Sequence, residues 1–294
     1  MFPFLQRLRK RLELYSRLVV LEHAVFALPF GLWGFAVGVK EMGGSALLPK
    51  LGWVLIALIS ARTAALAFNR YADHFLDAQN PRTAQREIPR GLVQPKEALW
   101  LTLISAAIFV AAAWQLNPLC GTLAPLALSI LLGYSYTKRF TYFSHYILGL
   151  ALGLAPVGAY LAVTGRFSLF ILSVGAAVAF WVAGFDILYA LQDIDFDRAA
   201  GLHSIPARFG EVPARRISLI SHGVSTIFLA WAGLSLYGAH PLYWTGWGIF
   251  SGFVFYQHWV SRDKTRINRA FFTHNGLASV GLGTLAIMAL WVPL

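Results

Sequence analysis

Long apolar runs alternate with short polar segments along almost the whole chain. Each run has about the 20 residues that a helix needs to cross the hydrocarbon core of a bilayer. Two of the runs are separated only by Asn117 and Pro118, so a tight turn is expected there. We predict nine membrane-spanning helices with these approximate bounds: 19–39, 46–68, 97–116, 118–137, 143–164, 168–190, 215–237, 240–260 and 273–293.

The first 18 residues follow a different pattern. Leu5, Leu8, Leu12 and Tyr15 recur at helical spacing among several basic residues. A basic amphipathic helix of this kind is typical of segments that lie on a membrane surface. We therefore expect residues 1–18 to form an interfacial helix, attached to a single intramembrane domain that occupies the whole chain, 1–294.

The composition supports an integral membrane protein. The chain is 57% hydrophobic and only 13% charged, whereas about 25% of the residues in a soluble domain are charged. The net charge of +11 does not indicate a nucleic-acid partner, because the basic residues lie in loops between apolar runs. Membrane lipid is the expected partner, and no obligate protein partner is inferred. The predicted fold class is all-α, a polytopic helical bundle around a central cavity.

The basic residues also predict an orientation. Most of the 24 Lys and Arg residues fall in the N-terminal segment and in every second loop after it. Loops rich in Lys and Arg stay on the cytoplasmic side of a membrane. We expect a multi-pass protein of the bacterial plasma (inner) membrane, with the N-terminus and the two longest loops in the cytoplasm.

Both of these long loops begin with an acidic segment, and together the two segments hold five of the chain's 13 acids. Their polar side chains recur at every fourth position: Asn69, Asp73 and Asp77 in the first segment, and Tyr189, Asp193 and Asp197 in the second. If the preceding helix continues through each segment, this spacing places the side chains on one helix face. The two loops also resemble each other, which suggests an internal duplication.

Carboxylates one turn apart repel each other on a helix, and a divalent cation between them reverses this interaction. Oxygen ligands without Cys or His suit Mg²⁺, which prefers one or two carboxylates together with water and substrate phosphate. Two such half-sites facing each other would hold a diphosphate. The predicted metal-binding and catalytic residues are Asp73, Asp77, Asp193 and Asp197, with Asn69 as a further ligand.

Three other interpretations of the acidic residues compete with a shared metal site. The acids could be solvated residues at helix ends, but their matched positions in two loops favour a shared site. A cation-coupled membrane transporter is an alternative of a different class, yet its ion-binding acids would lie near the membrane midplane. A CDP-alcohol phosphotransferase also uses carboxylates and Mg²⁺, but its D-G-x-x-A-R signature is absent from the sequence.

Three motifs together resemble the signatures of the UbiA-type intramembrane aromatic prenyltransferases. They are Asn69-x-x-x-Asp73-x-x-x-Asp77 followed by Arg82-Thr83-Ala84-x-Arg86, Asp193-x-x-x-Asp197-x-x-x-Gly201, and Tyr134-x-x-x-Lys138-Arg139-x-Thr141. The resemblance implies Mg²⁺-dependent transfer of a polyprenyl group from polyprenyl diphosphate to an aromatic acid. The expected acceptor is 4-hydroxybenzoate, for ubiquinone biosynthesis, and the alternative is a dihydroxynaphthoate, for menaquinone biosynthesis.

The resemblance also suggests roles for basic residues. Lys138 is expected to contact the diphosphate, and Arg139 the carboxylate of the acceptor, because a planar guanidinium suits a carboxylate. Arg82 and Arg86 lie on a loop that is expected to fold over the diphosphate. Arg70 occupies a position where relatives often carry a second acid, so a phosphate contact is expected there instead of a metal ligand.

Two further substrate-binding candidates lie at or inside the spans. Arg62 is two turns before Asn69, and an arginine facing lipid is costly, so it should face the cavity near Asp186 or the diphosphate. Tyr189 is the second candidate. Several aromatic residues are expected to stabilise an allylic cation through their ring faces: Phe68, Tyr71, Phe75, Phe180, Trp181 and Tyr189.

Overall fold

The structure is a computed structural model that describes Leu14, Tyr15, Leu18 and residues 24–44 and 47–293. Regular structure in this part of the chain is helical, without a strand. The predicted interfacial helix at 1–18 lies mostly outside the described residues and stays a prediction.

Besides a single helical turn, Ile267–Arg269, which we leave unnumbered, the described residues form nine long helices and three short helices of five or six residues, which we number in chain order. They are α1 Ala24–Glu41, α2 Leu47–Ala72, α3 His74–Gln79, α4 Pro95–Leu116, α5 Pro118–Thr137, α6 Ser144–Thr164, α7 Leu169–Tyr189, α8 Ile194–Ala199, α9 Ile205–Phe209, α10 Glu211–Tyr237, α11 Pro241–Val260 and α12 Asn275–Trp291. A 3₁₀ turn, Ala190–Asp193, joins α7 to α8, and a π-helix, Ala270–His274, precedes α12.

Six segments of the described chain are long and apolar enough to cross a membrane: Pro49–Ala72, Pro95–Leu116, Pro118–Thr137, Ser144–Thr164, Leu169–Ala199 and Glu211–Tyr237. The remaining long helices, α1, α11 and α12, pack in the same bundle but do not meet that criterion of length and composition. The predicted number of nine spans therefore stays a prediction.

The long helices follow one another around the bundle. Helix α2 packs on α4, α4 on α5, α5 on α6, and α6 on α7. The succession continues through α10, α11 and α12, and closes where α12 packs on α1 and α1 packs on α6. This arrangement encloses a cavity whose walls come chiefly from α2, α5, α6 and α7.

Small residues allow the closest helix contacts. A Cβ atom at Gly149 of α6 would lie 2.1 Å from the carbonyl oxygen of Ala179 on α7. A Cβ atom at Gly34 of α1 would lie 2.2 Å from the carbonyl oxygen of Pro156 on α6. Such small residues are typical of membrane bundles, where close backbone approach replaces the hydrophobic effect as the source of helix association.

The two acidic segments share a backbone break. Helix α2 ends at Ala72, and Asp73 takes φ −101° and ψ 6° before α3 begins. In the second segment, Asp193 takes φ −107° and ψ 7° before α8 begins. A single continuous helix through Asn69 and Asp77 is thus not formed, because Asp, a poor helix former, leaves helical geometry at the break.

The fourth-residue spacing nevertheless survives this break. The Asp73 amide donates to the Asn69 carbonyl at 3.0 Å, and the Asp77 amide donates to the Asp73 carbonyl at 2.7 Å. The hydrogen-bond pattern of a helix therefore continues across the break, and of the three side chains Asn69 and Asp73 line the cavity whereas Asp77 does not.

Candidate functional site

One cavity of about 850 Å³ contains most of the predicted site. One end is polar, and the rest of the wall is apolar. The predicted site residues on its lining are Arg62, Asn69, Arg70, Asp73, Arg82, Arg86, Lys138, Tyr189, Asp193 and Asp197. The two predicted residues that lie off this lining are Asp77 and Arg139.

Asp73 joins the first acidic segment to the end of α5. Its side chain is almost fully buried and accepts a hydrogen bond from the Asn69 amide at 3.1 Å. Lys138 Nζ lies 3.3 Å from one carboxylate oxygen, and an Arg139 terminal nitrogen lies 3.2 Å from the other. The motif after the fourth predicted span thus supplies cations to the first acid.

Asp193, in the second acidic segment, accepts hydrogen bonds from residues of the loop that follows the first acidic segment. Arg82 donates to both of its oxygens, at 2.8 and 2.5 Å, and the Asn80 amide donates at 3.0 Å. Arg82 also donates to the Tyr189 hydroxyl at 2.9 Å. Burial lowers the pKa of Arg82, but the hydrogen bonding to Asp193 and the electrostatic attraction of Tyr189, Asp193 and Asp77 together outweigh burial, so the net pKa of Arg82 is raised.

The second acid of each segment is buried one turn further along. Arg86 donates to both oxygens of Asp77, at 2.7 and 2.8 Å. The Ser204 hydroxyl donates to Asp197 at 2.8 Å. Each segment thus carries one acid beside a break in the helix and one acid inside a short helix, and the two breaks have matching geometry.

The donor chemistry fits Mg²⁺. Asp73, Asp193 and Asp197, with the Asn69 amide, bring oxygen donors to the cavity lining, and Asp77 lies behind them. Within 24–44 and 47–293, no group of three or more His, Cys, Asp or Glu side chains is placed to hold a metal alone. Mg²⁺ shared between a few carboxylates and a substrate phosphate matches this arrangement, whereas an all-protein cage does not.

Two arginines on the cavity lining, the half-buried Arg62 and the buried Arg70, have hydrogen-bond donors without partners. Arg62 and Arg70 each have a buried Nε atom without a hydrogen-bond partner in the described part of the chain. Arg62 and Asp186 both line the cavity, but Asp186 contacts His145, with 2.6 Å between Nδ1 and Oδ2. A buried donor without a partner is costly, so both guanidinium groups favour an anion in the cavity.

Arg139 lies off the cavity lining, although it contacts Asp73, which is part of that lining. Its side chain is 38% exposed, donates to the Ala72 carbonyl at 2.6 Å, and lies over the Tyr136 ring at 4.8 Å. These contacts tie the end of α5 to the break after α2. The predicted contact between Arg139 and an acceptor carboxylate has no support from this position and stays a prediction.

The aromatic wall differs from the expected one. Of the six aromatic residues named from the sequence, Tyr189 alone lines the cavity, and Phe75 is 73% exposed. Phe26, Phe185 and Phe271 line it instead, and Phe271 lies 4.4 Å from the Tyr189 ring between centroids. Phe271 belongs to the π-helix before α12, and no periodic pattern in the sequence marks it.

Two other site residues were missed. Asn80 donates to Asp193 and also accepts the Arg82 amide at 3.0 Å. The Asn-Pro pair at 80–81 is a turn signal that could have singled it out. His145, the partner of Asp186, had no such signal, because the two residues lie 41 positions apart in the chain.

A family model and the sequences of known relatives assign the chain to the same protein family. Residues 27–277 match the model of the UbiA prenyltransferase family. The chain is 31% identical over 290 residues to 4-hydroxybenzoate octaprenyltransferase of Methylobacillus flagellatus, covering 95% of each chain. It is 29% identical to the protein of the same name from Alkalilimnicola ehrlichii, covering 94% of this chain and 95% of the relative.

Solved structures resemble the fold as well. A UbiA homolog from Aeropyrum pernix K1 superimposes with a TM-score of 0.76 at 31% identity, covering 91% of this chain and 96% of the homolog. A UbiA homolog from Archaeoglobus fulgidus, determined with GPP and Mg²⁺, superimposes with a TM-score of 0.71 at 20% identity and covers 95% of this chain and all of the homolog. The predicted all-α membrane bundle is confirmed. The chain belongs to the UbiA prenyltransferase family and is an integral membrane prenyltransferase.

Proposed function

We propose that the protein transfers a polyprenyl group from polyprenyl diphosphate to a phenolic aromatic acid, with Mg²⁺ as cofactor and 4-hydroxybenzoate as acceptor. The observation that carries this proposal is the convergence of carboxylates from both acidic segments, Asp73, Asp193 and Asp197, with several cations at the polar end of an apolar cavity. Relatives near 30% identity bear the name 4-hydroxybenzoate octaprenyltransferase, and a homolog with the same fold was determined with GPP and Mg²⁺.

The polar end suits a diphosphate. Lys138, Arg82, Arg86 and Arg70 all reach the cavity lining, and cations placed there stabilise negative charge as the diphosphate departs. Mg²⁺, when bound, would add Lewis-acid stabilisation of the same charge. The residues that would hold it are Asp73, Asp77, Asp193 and Asp197, with Asn69.

The apolar walls suit the prenyl chain. Leu58, Leu123, Ile130 and Leu152 line the cavity beyond its polar end. They exclude water from an allylic cation, which would otherwise be captured as a prenyl alcohol. The faces of Tyr189 and Phe271 supply electron density close to the polar end, where that cation would form.

Arg62 is the residue best placed for the acceptor's carboxylate. It lines the cavity and has a buried Nε atom without a partner among the described residues. A guanidinium binds a carboxylate through two parallel hydrogen bonds. A dihydroxynaphthoic acid is the second candidate acceptor, because Arg62 would hold its carboxylate in the same way.

We also propose that the protein resides in a bacterial plasma membrane with both acidic segments on the cytoplasmic side. The excess of Lys and Arg in the loops that carry these segments supports this orientation. Soluble polar acceptors would then reach the polar end of the cavity from the cytoplasm, while the prenyl chain enters from the lipid.

The test is a transfer assay with the purified protein in lipid vesicles. Labelled polyprenyl diphosphate and Mg²⁺ are combined with 4-hydroxybenzoate, a dihydroxynaphthoic acid, or benzoate, which lacks the hydroxyl group. Prenylated product is expected with a phenolic acid and not with benzoate. No product with any phenolic acid would overturn the proposal, and product with the naphthoic acid alone would reassign the acceptor.

A matched pair of variants tests the site itself. Asp193→Asn should reduce transfer by on the order of 100-fold or more, because it removes charge that the metal and Arg82 need. Asp195→Asn changes an exposed acid two residues away and should retain activity. Equal activity in the two variants would contradict the carboxylate assignment.

A further inference from the structure

One carboxylate of the cavity lies outside the two carboxylate pairs. Asp186 is on α7, two helical turns before Asp193, and therefore on the same face of the chain. It lines the cavity, and its side chain is 23% exposed. A carboxylate inside a membrane bundle is costly to keep without a purpose, so its environment is informative.

His145 fixes the orientation of this carboxylate. The imidazole is 3% exposed at the start of α6, and its Nδ1 lies 2.6 Å from Asp186 Oδ2. On its other side, Nε2 lies 3.4 Å from the backbone nitrogen of Ile205. An amide N–H only donates, so Nε2 accepts and the proton of a neutral ring is on Nδ1. That proton is donated to Asp186.

The second oxygen of Asp186 is free of such contacts. Within the described residues, no hydrogen bond reaches Oδ1, while Oδ2 is held by His145. The cations that share the cavity lining are Arg62 and Arg70 from α2, Lys138 from the end of α5, and Arg82 and Arg86 from the loop before α4. The other acids there are Asp73, Asp193 and Asp197. Arg82 and Lys138 already contact two of these acids, which leaves Oδ1 of Asp186 available to a substrate.

We propose that Asp186 accepts the proton of the acceptor's phenol hydroxyl, and that His145 is the positioning residue that holds the carboxylate for this step. The inference rests on the proposed function, because it requires a phenolic acceptor. Arg62 and Asp186 lie on different walls, α2 and α7, of the same cavity. An aromatic acid held by its carboxylate on one wall would present its hydroxyl group toward the other.

The reaction balances with these groups. The phenol proton moves to Asp186 Oδ1, and the ring carbon beside the phenolate oxygen forms a C–C bond to the first prenyl carbon. The bond between the first prenyl carbon and the diphosphate oxygen breaks, and its electron pair leaves with the diphosphate. The ring then loses the proton of the attacked carbon to the diphosphate, while Asp186 returns its proton to the oxygen. Net release is one protonated diphosphate.

Asp186→Asn is the first test, because it preserves the shape of the side chain and an acceptor for the His145 N–H. We expect kcat to fall by about 100-fold, within the range for loss of a general base. The KM for polyprenyl diphosphate should stay within about twofold, since Asp186 would not contact that substrate. Thermal unfolding in detergent verifies that the variant is folded.

A fluorinated acceptor separates a chemical role from a structural one. Fluorine beside the hydroxyl group of 4-hydroxybenzoate makes the phenol more acidic, so the ring depends less on a protein base. The ratio of wild-type to Asp186→Asn activity should therefore be smaller with 3-fluoro-4-hydroxybenzoate than with the parent acid. The ratio cancels the effect of fluorine on ring reactivity, provided that the same step limits both proteins.

His145 is tested with two substitutions. His145→Ala removes the donor to Asp186 and should reduce kcat by on the order of 10-fold, the size typical of losing an orienting partner. His145→Gln retains an amide donor and should recover part of the loss. Asp195→Asn is the control for an acid changed elsewhere on the same end of the bundle.

These experiments can refute the role of Asp186 without refuting the proposed function. If the wild-type protein prenylates a phenolic acid but Asp186→Asn retains full kcat, the proton-acceptor role is wrong and the function stands. An activity ratio that is unchanged by fluorine would also overturn that role. If the wild-type protein prenylates none of the phenolic acids, the proposed function itself fails.

Discussion

At the scale of single residues, the polar end of the cavity holds its charges in two different ways. Asp73, Asp77 and Asp193 each contact one or more cationic side chains. Arg62 and Arg70, in contrast, each keep a buried Nε atom unpaired with respect to the residues that the structure describes. Leaving a buried donor unpaired costs about 1–3 kcal/mol. An anionic group of a substrate would be most strongly stabilised beside these two arginines.

Arg62→Ala should therefore weaken binding of a carboxylated acceptor. A hydrogen bond to a charged group contributes about 2 kcal/mol, which corresponds to roughly a 30-fold rise in KM for the acceptor. The KM for polyprenyl diphosphate should change little. Steady-state kinetics with each substrate varied in turn provides the measurement.

Arg139→Ala supplies the comparison, because this residue carries the role predicted from the sequence. Arg139 itself lies off the cavity lining and contacts the Ala72 carbonyl and one oxygen of Asp73, so we expect a smaller change in acceptor KM than for Arg62→Ala. A larger rise in Arg139→Ala would restore the original assignment and remove Arg62 from the acceptor site.

At the scale of helices, several boundaries were predictable because proline and polar residues mark them. The spans expected at 118–137 and 143–164 correspond to Pro118–Thr137 and Ser144–Thr164. The break at Asp73 was not predictable from spacing, because fourth-residue periodicity continues through it. At this break, the Asp73 carboxylate contacts Lys138 and Arg139, which lie more than 60 positions further along the chain.

Gly149→Ala tests the close contact between α6 and α7. The added Cβ atom would meet the Ala179 carbonyl oxygen at 2.1 Å, which is backbone and cannot rotate away. Such overpacking costs about 1–3 kcal/mol. The thermal unfolding temperature of the purified protein in detergent should fall by several degrees.

Gly133→Ala is the matched control within a helix of the same bundle. A Cβ atom at Gly133 of α5 would meet nothing within 4 Å, and alanine favours a helix over glycine by about 1 kcal/mol. The unfolding temperature should stay unchanged or rise slightly. A similar loss of stability in both variants would show that the close contact between α6 and α7 does not determine the result.

At the scale of the whole molecule, one cavity contains both the charged residues proposed to act on the diphosphate and the apolar walls proposed to hold the prenyl chain. The acids and the basic residues of the polar end were predictable, because charged residues are scarce in an apolar chain and repeat at a fixed spacing. The partnership of His145 with Asp186, and the wall that contains Phe271, were not. Both depend on which helices become neighbours, and this is decided by packing between segments far apart in sequence.

Gly158→Trp tests whether the apolar part of the cavity accommodates the prenyl chain. Gly158 of α6 lines the cavity, and a Cβ atom there would meet nothing within 4 Å. An indole at this position would occupy space that a long prenyl chain needs. Transfer from octaprenyl diphosphate should fall by at least about 10-fold more than transfer from geranyl diphosphate, because overlap with the chain grows with its length.

Gly133→Trp controls for the general effect of a large aromatic residue in the bundle, since Gly133 is exposed and lies off the cavity lining. It should leave the ratio between long and short donors unchanged. An equal loss for both donors in Gly158→Trp would indicate that the prenyl chain follows a different path.

The pairing of Arg82 with Asp193, and of Arg86 with Asp77, has a thermodynamic consequence. Arg82 and Arg86, which would meet the diphosphate, are each bound to a carboxylate that would meet the metal. A cation that takes the carboxylate frees the arginine, and an anion that takes the arginine frees the carboxylate. Binding of Mg²⁺ and of diphosphate should therefore show positive cooperativity, and linkage makes the effect equal in both directions. Calorimetric titration of each ligand, with and without the other and corrected for their association in solution, should reveal affinity gains of about 5-fold or more, and independent binding would show that the ion pairs do not exchange.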